Sequence, residues 1–507
     1  MVAVKPRPPL TKSEAGFRLC YAREDRCSVA PHSLNWNPPY EALSYSWGDL
    51  SDVCAVPIDF NGFPKYISTN LEAALRVLRH QDKPRQLWID ALCINQNDDA
   101  EKSKQVAMMG AIFAQAQNVI IWLGPESADS NLAMSTISGL KSSSDFENVT
   151  EPAWDAIENL FSRPWFSRIW VLQEFKRAKN PLFHCGQASF NFDKSGELLA
   201  GFWDAEQTRP MHTRLLGELG KVVSMASTRV ELPLDSSLDT QQAAANLVRM
   251  LRIHGGCKAT VPHDKIYGLQ GLSDAFSFPG SNPPTVSYDK NVLDVYTDWA
   301  RYLILSQSSL DLLYVSQRML HDPSLPSWVP DWRTARHDLL FTLNVFRESF
   351  RYTGPSIEIS DTALKFHDNG RVLVVKGYII AIFNPGFMFF PIQPDFITSK
   401  LSSTPRKELL RACLMMGCRL KNSAVEGFAA SGITEGRKQF RGFRGSTGLV
   451  PKATRHGDII CMLAGADIPF VLRPVEEEYE LVGDGYIENG GVVDSLPNAE
   501  IRTFKIR

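Results

Sequence analysis

Hydrophobic positions in residues 40–124 change repeatedly between the spacing of a strand and the spacing of a helix. Three short apolar runs have the length of buried strands, and two longer segments between them repeat apolar residues every three or four positions. This β-α-β-α-β order predicts parallel strands joined by right-handed crossovers. The predicted strands are residues 42–47, 87–90 and 119–123, and the predicted helices begin at a Thr69-Asn70-Leu71-Glu72 capping box and at Asp98 or Asp99.

Residues between 125 and 320 carry mainly polar or helical patterns. The stretch 129–150 is rich in Ser, Asp and Asn, which predicts a loop or a weak helix. Pro164 suits the first turn of a helix, and the apolar spacing after it predicts a helix that runs to about Ala178. From about 191 to 320 apolar residues repeat at helical spacing, so this part of the chain is predicted to be helical.

The last third of the chain changes to a strand pattern. Runs rich in Val and Ile, bounded by Gly, Pro and Asp, lie at 371–381 and 458–463. They predict a small antiparallel barrel or sheet, interrupted by a helix at about 406–420. The predicted domains are an N-terminal extension (1–37), an α/β domain (38–190), a helical domain (191–365) and a β-rich C-terminal domain (366–507).

The composition restricts the class of protein and the kinds of partner. The chain has 507 residues, 44% of them hydrophobic, and a net charge of −2, which is typical of a globular protein without a basic surface for nucleic acid. Its nine cysteines form no CxxC pair, which favours reduced thiols over a disulfide framework or a zinc module. The sequence shows neither a signal-peptide pattern nor an apolar run long enough for a membrane span, so we expect a cytoplasmic protein.

Polar and small residues stand where the first two predicted strands end. Ser46, Trp47 and Gly48 end the first strand, and Asp90 ends the second. Ligands of parallel sheets bind at the carboxyl ends of the strands, so these four residues are candidates for substrate binding. Each also has a structural interpretation: Trp47 and Trp88 as packing residues, Asp90 as the cap of the turn that follows it, and residues 46–48 as a turn.

Trp170 and Glu174 are four residues apart on a predicted helix and therefore share one face. A carboxylate beside a large apolar ring loses hydration, so Glu174 is a candidate acid, base or stabiliser of a cation. The alternative is an ion pair between Glu174 and Arg177 on a solvated surface. The sequence lacks the motifs of P-loop, Rossmann, zincin and α/β-hydrolase sites, and no metal site is predicted.

Three blocks of the sequence, 40–48, 87–96 and 163–174, together resemble the fungal heterokaryon incompatibility (HET) domain. The match in order and spacing is specific, and the resemblance covers roughly residues 38–190. Later segments that resemble stretches commonly found after the domain are 264–269, 326–332 and 457–473. Mild departures from the family pattern occur at Leu92, Lys102 and Phe113.

The resemblance implies a fold and a function. HET domains act in nonself recognition between fungal cells and can trigger programmed cell death, and their fold is thought to be similar to that of TIR domains. NAD-cleaving TIR domains use a helical glutamate in a Trp-x-x-x-Glu setting, which Trp170 and Glu174 match at its two ends. The resemblance therefore implies a TIR-like parallel-sheet domain with Glu174 as the catalytic residue, Ser46, Trp47, Gly48, Asp90 and Trp170 as substrate-binding residues, and NAD as a substrate rather than a cofactor.

Three functional hypotheses follow. The first is an NAD glycohydrolase-like activity that depends on Glu174. The second is a non-enzymatic signalling module that self-associates while its C-terminal domains sense a protein partner or a ligand. The third is an accessory role beside secondary-metabolite genes, where HET-like proteins also occur.

Overall fold

The computed structural model describes most of the N-terminal sheet and parts of the helical and C-terminal regions. The predicted helix at about 406–420 lies outside the described residues. The described residues are 16–23, 26–35, 38–48, 52, 57–80, 83–191, 222, 225, 239–272, 282–315, 322–334, 357, 364–391, 436–442, 447–487 and 500–507.

A nine-stranded mixed sheet forms the N-terminal part of the structure, with the spatial order β5-β4-β2-β1-β6-β3-β7-β8-β9. Its centre, β6-β3-β7-β8, is parallel, which confirms the parallel strands predicted from the β-α-β-α-β pattern. The strands are β1 Gly16–Arg23, β2 Arg26–Ser33, β3 Glu41–Tyr45, β4 Ile58–Phe60, β5 Phe63–Lys65, β6 Arg85–Trp88, β7 Val119–Trp122, β8 Pro181–Cys185 and β9 Ala188–Asn191.

The antiparallel pair β1–β2 lies within residues 1–37 and belongs to this same sheet. β1 pairs with β6 in the register Cys20↔Leu87, so the segment extends the sheet beyond the parallel centre. The order β6-β3-β7-β8 corresponds to the chain order 2-1-3-4 of a doubly wound sheet. In such a sheet the connections that leave the first and third parallel strands run in opposite directions, which opens a crevice at their carboxyl ends.

Within the described residues, six α-helices accompany this sheet. The first buries Leu71, Ala74, Leu75 and Leu78, the face predicted from the sequence. Its cap is Ser68 rather than the predicted Thr69, because the Ser68 hydroxyl accepts from the Leu71 N–H at 3.3 Å. The helices are α1 Thr69–Leu78, α2 Asp90–Cys93, α3 Asp99–Gln115, α4 Ser130–Gly139, α5 Glu151–Phe161 and α6 Trp170–Arg177.

Two segments differ from the sequence-based expectation. Residues 129–150 contain a regular helix, α4, followed by a 3-10 helix at Ser143–Asn148. The helix expected to begin at Pro164 is divided into a 3-10 turn at Pro164–Ser167 and α6. The division has a tertiary cause, since Arg168 is extended, with φ −82° and ψ 142°, and forms a β-bridge with Lys258.

The described parts of the middle region contain helices, as the apolar spacing predicted. They are α7 Thr240–His254, α8 Asp264–Gln270 and α9 Val292–Gln307. Across the described ranges, none of the helices combines the length and the apolar composition required to cross a bilayer.

The C-terminal region forms two small sheets, one of which closes into a barrel. β19 pairs with β17 on one side and with β11 on the other, so β11, β15, β16, β17 and β19 form a five-stranded ring and confirm the predicted β-rich region. The strands are β10 Leu364–His367, β11 Val372–Ile382, β12 Met388–Phe390, β13 Arg437–Arg441, β14 Thr447–Pro451, β15 Ile459–Leu463, β16 Phe470–Val475, β17 Glu478–Asp484, β18 Tyr486–Ile487 and β19 Arg502–Ile506.

Candidate functional site

The carboxyl ends of β3 and β6 hold four of the residues selected from the sequence. Ser46 and Trp47 follow β3 and are partly buried, and Gly48 after them is exposed. Gly48 has φ +78°, a left-handed conformation that glycine adopts most readily, while a Cβ at this position would meet open space. Its role is therefore to form the turn, and no close neighbour requires the absence of a side chain.

A hydrogen bond joins the two strand ends. The Trp47 indole N–H donates to the Asp90 carboxylate at 2.7 Å. The second Asp90 oxygen accepts from the Ala91 N–H at 2.7 Å, and the Gln96 amide donates to the Asp90 carbonyl at 3.2 Å. Asp90 therefore stabilises the turn that follows it, which is the structural role considered from the sequence. It also binds Trp47 at the end of the neighbouring strand.

Glu174 is buried against β3. Its carboxylate, in a residue that is 3% exposed, accepts a hydrogen bond from the Ser44 hydroxyl. Ser44 in turn accepts from the Trp165 indole at 2.7 Å. The expected solvated ion pair between Glu174 and Arg177 is wrong, because both residues are buried and the Arg177 Nε donates to the Gly271 carbonyl at 2.6 Å.

The Glu174 carboxylate lies in a low-dielectric interior, close enough to Asp90 for the Asp90 charge to affect its pKa. Burial, with a smaller contribution from the Asp90 charge, raises the pKa of Glu174 to about 7, although the Arg168 guanidinium and the Ser44 hydrogen bond oppose the rise. Burial also raises the pKa of Asp90, against the lowering effects of Arg168 and of hydrogen bonds that include the one from Trp47. Glu174 therefore changes its protonation state near neutral pH.

Two further residues complete this arrangement. Burial is the main cause that raises the pKa of Tyr45, and the Asp90 charge adds to it. The Arg168 guanidinium donates to the Tyr45 carbonyl, which places its charge between the strand end and α6. We call Ser44, Tyr45, Asp90, Arg168 and Glu174 the carboxylate cluster. It can hold or release a proton, and it can stabilise a positive charge.

The structure does not bring all the predicted residues to this cluster. Ser46 is linked through its carbonyl to the Asn70 amide at 2.7 Å, on the side of the crevice toward β7. Asn70 also accepts from the Trp122 indole at 2.9 Å. Trp170 shares a helix with Glu174, yet it lies near Asp264 on α8, where it opposes the rise that burial causes in the pKa of Asp264.

Ser44, Tyr45 and Arg168 were not among the site residues selected from the sequence. Ser44 and Tyr45 are the last two residues of a strand that is buried along nearly its whole length, so no polar and apolar alternation marked them as site residues. Arg168 lies within the single helix predicted from Pro164 to about Ala178, and nothing in that pattern indicates a site residue. Its place depends on the interruption before α6, for which the sequence carried no local signal. Within the described ranges, no group of three or more His, Cys, Asp or Glu residues is arranged to hold a metal ion.

The sequence of this chain is similar to two family models and to one curated relative. The family model described as Heterokaryon incompatibility protein (HET) matches residues 40–174, and that described as Het-6 beta-barrel domain matches residues 404–502. The first match contains the whole carboxylate cluster and ends at Glu174. The chain is also similar to "Heterokaryon incompatibility protein 6, OR allele" of Neurospora crassa, with 27% identity over 62% of this chain and 56% of the relative. The chain thus spans little more than half of that relative, and no solved structure matches it.

Proposed function

We propose that this chain, which is similar to heterokaryon incompatibility (HET) proteins, acts in fungal nonself recognition in the cytoplasm and triggers programmed cell death by cleaving NAD. The observation that carries the proposal is Glu174, a buried carboxylate with a pKa near 7 beside Asp90 and Arg168. The parallel order β6-β3-β7-β8 supports the TIR-like fold at the level of the doubly wound class. The combination favours a nucleotide substrate at the strand ends.

Cleavage of the nicotinamide–ribose bond by water yields nicotinamide, ADP-ribose and a proton. Positive charge develops on the ribose as the bond breaks, in the manner of glycosidic transition states. Ionised Glu174, held in a poorly hydrated setting, would stabilise that charge or accept a ribose hydroxyl in place of the Ser44 hydroxyl. Trp47, partly exposed at the rim, would pack against the nucleotide and Asp90 would bind its polar groups.

The test uses the purified full chain with NAD, and the measured quantity is released nicotinamide. We expect Glu174→Gln to lower the rate by a factor of about 100 or more, since positioned acid, base or charge groups contribute at this level. Cleavage by the wild type should increase as pH rises through about 7, as Glu174 ionises. Glu477→Gln, in an exposed turn of the C-terminal barrel, is the matched control and should leave the rate unchanged.

Forced dimerisation through a fused module accompanies this assay, because TIR-like domains commonly act only when clustered. Absence of nicotinamide release in both the monomeric and the dimerised protein would contradict NAD cleavage. Equal release by the wild type and Glu174→Gln would contradict the role given to Glu174.

One observation favours a second candidate function, a signalling module without enzymatic activity. The Glu174 carboxylate is engaged by Ser44, and Ser44 by Trp165, so this chain of hydrogen bonds can serve purely to join α6 to β3. Toxicity upon expression in a fungal host separates the two functions. It should disappear in Glu174→Gln if cleavage kills the cell, and it should persist in that variant if self-association alone transmits the signal.

A further inference from the structure

The β-bridge that interrupts the chain before α6 is made by main-chain atoms of Lys258, in the turn after α7. The Lys258 N–H donates to the Ser167 carbonyl at 2.6 Å, and the Lys258 carbonyl accepts from the Ile169 N–H at 2.9 Å. These two hydrogen bonds lie on either side of Arg168 and hold its backbone extended. The match to the HET model ends at Glu174, so the backbone of Arg168 is fixed from beyond the matched region.

The side chain of Arg168 extends from this bridge to the end of β3. Its guanidinium donates to the Tyr45 carbonyl. The residue before Tyr45 is Ser44, whose hydroxyl donates to the Glu174 carboxylate. The extended backbone of Arg168 therefore holds a positive charge at the strand end that also contacts Glu174.

A lysine on α8 holds the turn that carries Lys258. The Lys265 ammonium donates to the Gly255 carbonyl at 2.8 Å and to the Cys257 carbonyl at 2.6 Å. Gly255 is the C-cap of α7, where carbonyls lack an intrahelical donor and a cation is favoured. One ammonium thereby ties the turn 255–258 to α8.

We propose that Lys258 and Lys265 are positioning residues of the candidate site. The Lys258 main chain holds Arg168 extended, so that the guanidinium reaches the Tyr45 carbonyl. Lys265 holds the turn that carries Lys258. Helix α6 has only eight residues and little stability of its own, so such tertiary contacts decide where it begins. The proposal rests on the proposed function for its catalytic consequence alone, since the positioning has a readout of its own.

The first experiment needs no enzymatic activity and follows the ionisation of Glu174 in the full chain. The difference in Tm between each protein and its Glu174→Gln counterpart changes with pH between the unfolded and the folded pKa of Glu174. The pH above which this difference becomes constant, which we call the plateau pH, therefore reports the folded pKa. Among charged groups, Arg168 lowers this pKa and Asp90 raises it. Release of Arg168 should raise the plateau pH by about half a unit or more.

Two variants at one position separate the main chain from the side chain. Lys258→Pro removes the N–H that bonds to Ser167, whereas Lys258→Ala removes an exposed side chain and keeps both main-chain hydrogen bonds. We expect the plateau pH to rise in Lys258→Pro and to stay unchanged in Lys258→Ala. An unchanged plateau pH in Lys258→Pro, or an equal rise in both variants, would overturn the proposal.

Lys265→Met tests the second link and replaces Lys258→Pro if that protein does not fold. It keeps an unbranched apolar side chain but removes the ammonium that binds the two carbonyls. The plateau pH should rise in Lys265→Met and return toward the wild-type value in Lys265→Arg, which keeps a cationic donor. No rise in Lys265→Met, or an equal rise in Lys265→Arg, would overturn the proposal.

The second experiment measures nicotinamide release by the same variants against pH. A rise of half a unit in the pKa of Glu174 lowers its ionised fraction below pH 7 by a factor of about 3. We expect Lys258→Pro and Lys265→Met to lose about this much activity at pH 6 and to recover it at pH 9. A shifted plateau pH without nicotinamide release by any protein would support the positioning and contradict NAD cleavage. An unchanged plateau pH beside an active wild type would overturn the positioning alone.

Discussion

Buried carboxylates occur in two regions of this molecule, and the regions treat them differently. In the C-terminal region, Asp458 is 1% exposed and receives two hydrogen bonds from Arg473, at 2.8 and 2.9 Å. Asp484 is 2% exposed and receives two from Arg437, both at 2.7 Å. Asp458 faces its guanidinium in the bidentate geometry that compensates best for lost hydration, and a single nitrogen of Arg437, Nη2, contacts both Asp484 oxygens.

At the strand ends of the N-terminal sheet, Glu174 is equally buried but has no such partner. Among the residues that the structure describes, no Arg or Lys forms an ion pair with it, and the Arg168 guanidinium nearby donates to the Tyr45 carbonyl. The Ser44 hydroxyl offsets less of the cost of burying a negative charge than a guanidinium would. Glu174 therefore stays protonated to about pH 7. The comparison shows that the set of partners, rather than burial, separates a structural carboxylate from one able to exchange a proton.

The largest effect is expected where a buried pair is broken. Asp458→Asn removes the charge that neutralises Arg473 and leaves a buried cation uncompensated. We expect the free energy of unfolding of the C-terminal region to fall by about 3–5 kcal/mol. Urea denaturation checks this, with the exposed Glu477→Gln as the control. A loss below about 1 kcal/mol would remove the distinction between the two regions, since an exposed pair has that value.

Glu174→Gln should raise the stability of the protein, whereas Asp458→Asn lowers it. The folded protein binds the Glu174 proton up to about pH 7, whereas the unfolded chain releases it near its ordinary pKa of 4.5. Stability therefore falls as pH rises from about 4.5 to 7, and the deficit above pH 7 amounts to roughly 3 kcal/mol. The Gln variant should be more stable than the wild type at pH 8 and nearly equal to it at pH 4.

Thermal unfolding of the two proteins across that pH range measures the difference. If the Glu174→Gln variant were less stable than the wild type at every pH, Glu174 would be a paired carboxylate like Asp458, and the comparison would fail.

The smallest effect concerns Asp90, which is intermediate between the two kinds of carboxylate. Trp47→Phe removes its hydrogen bond from the indole while keeping an aromatic ring. We expect a loss of about 1 kcal/mol in stability, the usual net value of one hydrogen bond, because the Ala91 N–H remains as a donor to the Asp90 carboxylate. Chemical denaturation at pH 7 measures it. A loss as large as that of Asp458→Asn would place Asp90 with the structural carboxylates.

Much of the local structure could be predicted from the sequence. The buried face of α1 follows from its apolar spacing, and Asp98 caps α3 by accepting from the Glu101 N–H at 3.0 Å. The strands of the parallel centre follow from short apolar runs. These features depend on neighbours within a few residues, so the pattern along the chain carries the information.

The predictions that failed have causes far away in the chain. The helix expected from Pro164 is divided because Arg168 bonds as a strand to Lys258. The ion pair expected between Glu174 and Arg177 is replaced by contacts with Ser44 and Gly271. In each case the chosen partner lies on an element that local spacing cannot place.

The sequence by itself determined the strand and helix order, the strand-end positions of Trp47 and Asp90, the candidacy of Glu174, and the resemblance to the HET domain. The tertiary structure alone decided which groups meet: Ser44 and Glu174 are 130 residues apart, and the Lys258 backbone bonds to Ser167 and Ile169 from beyond the matched domain. The physical reason is that periodicity records which face of an element is buried, whereas the protonation state of a buried carboxylate depends on the particular groups that folding places around it.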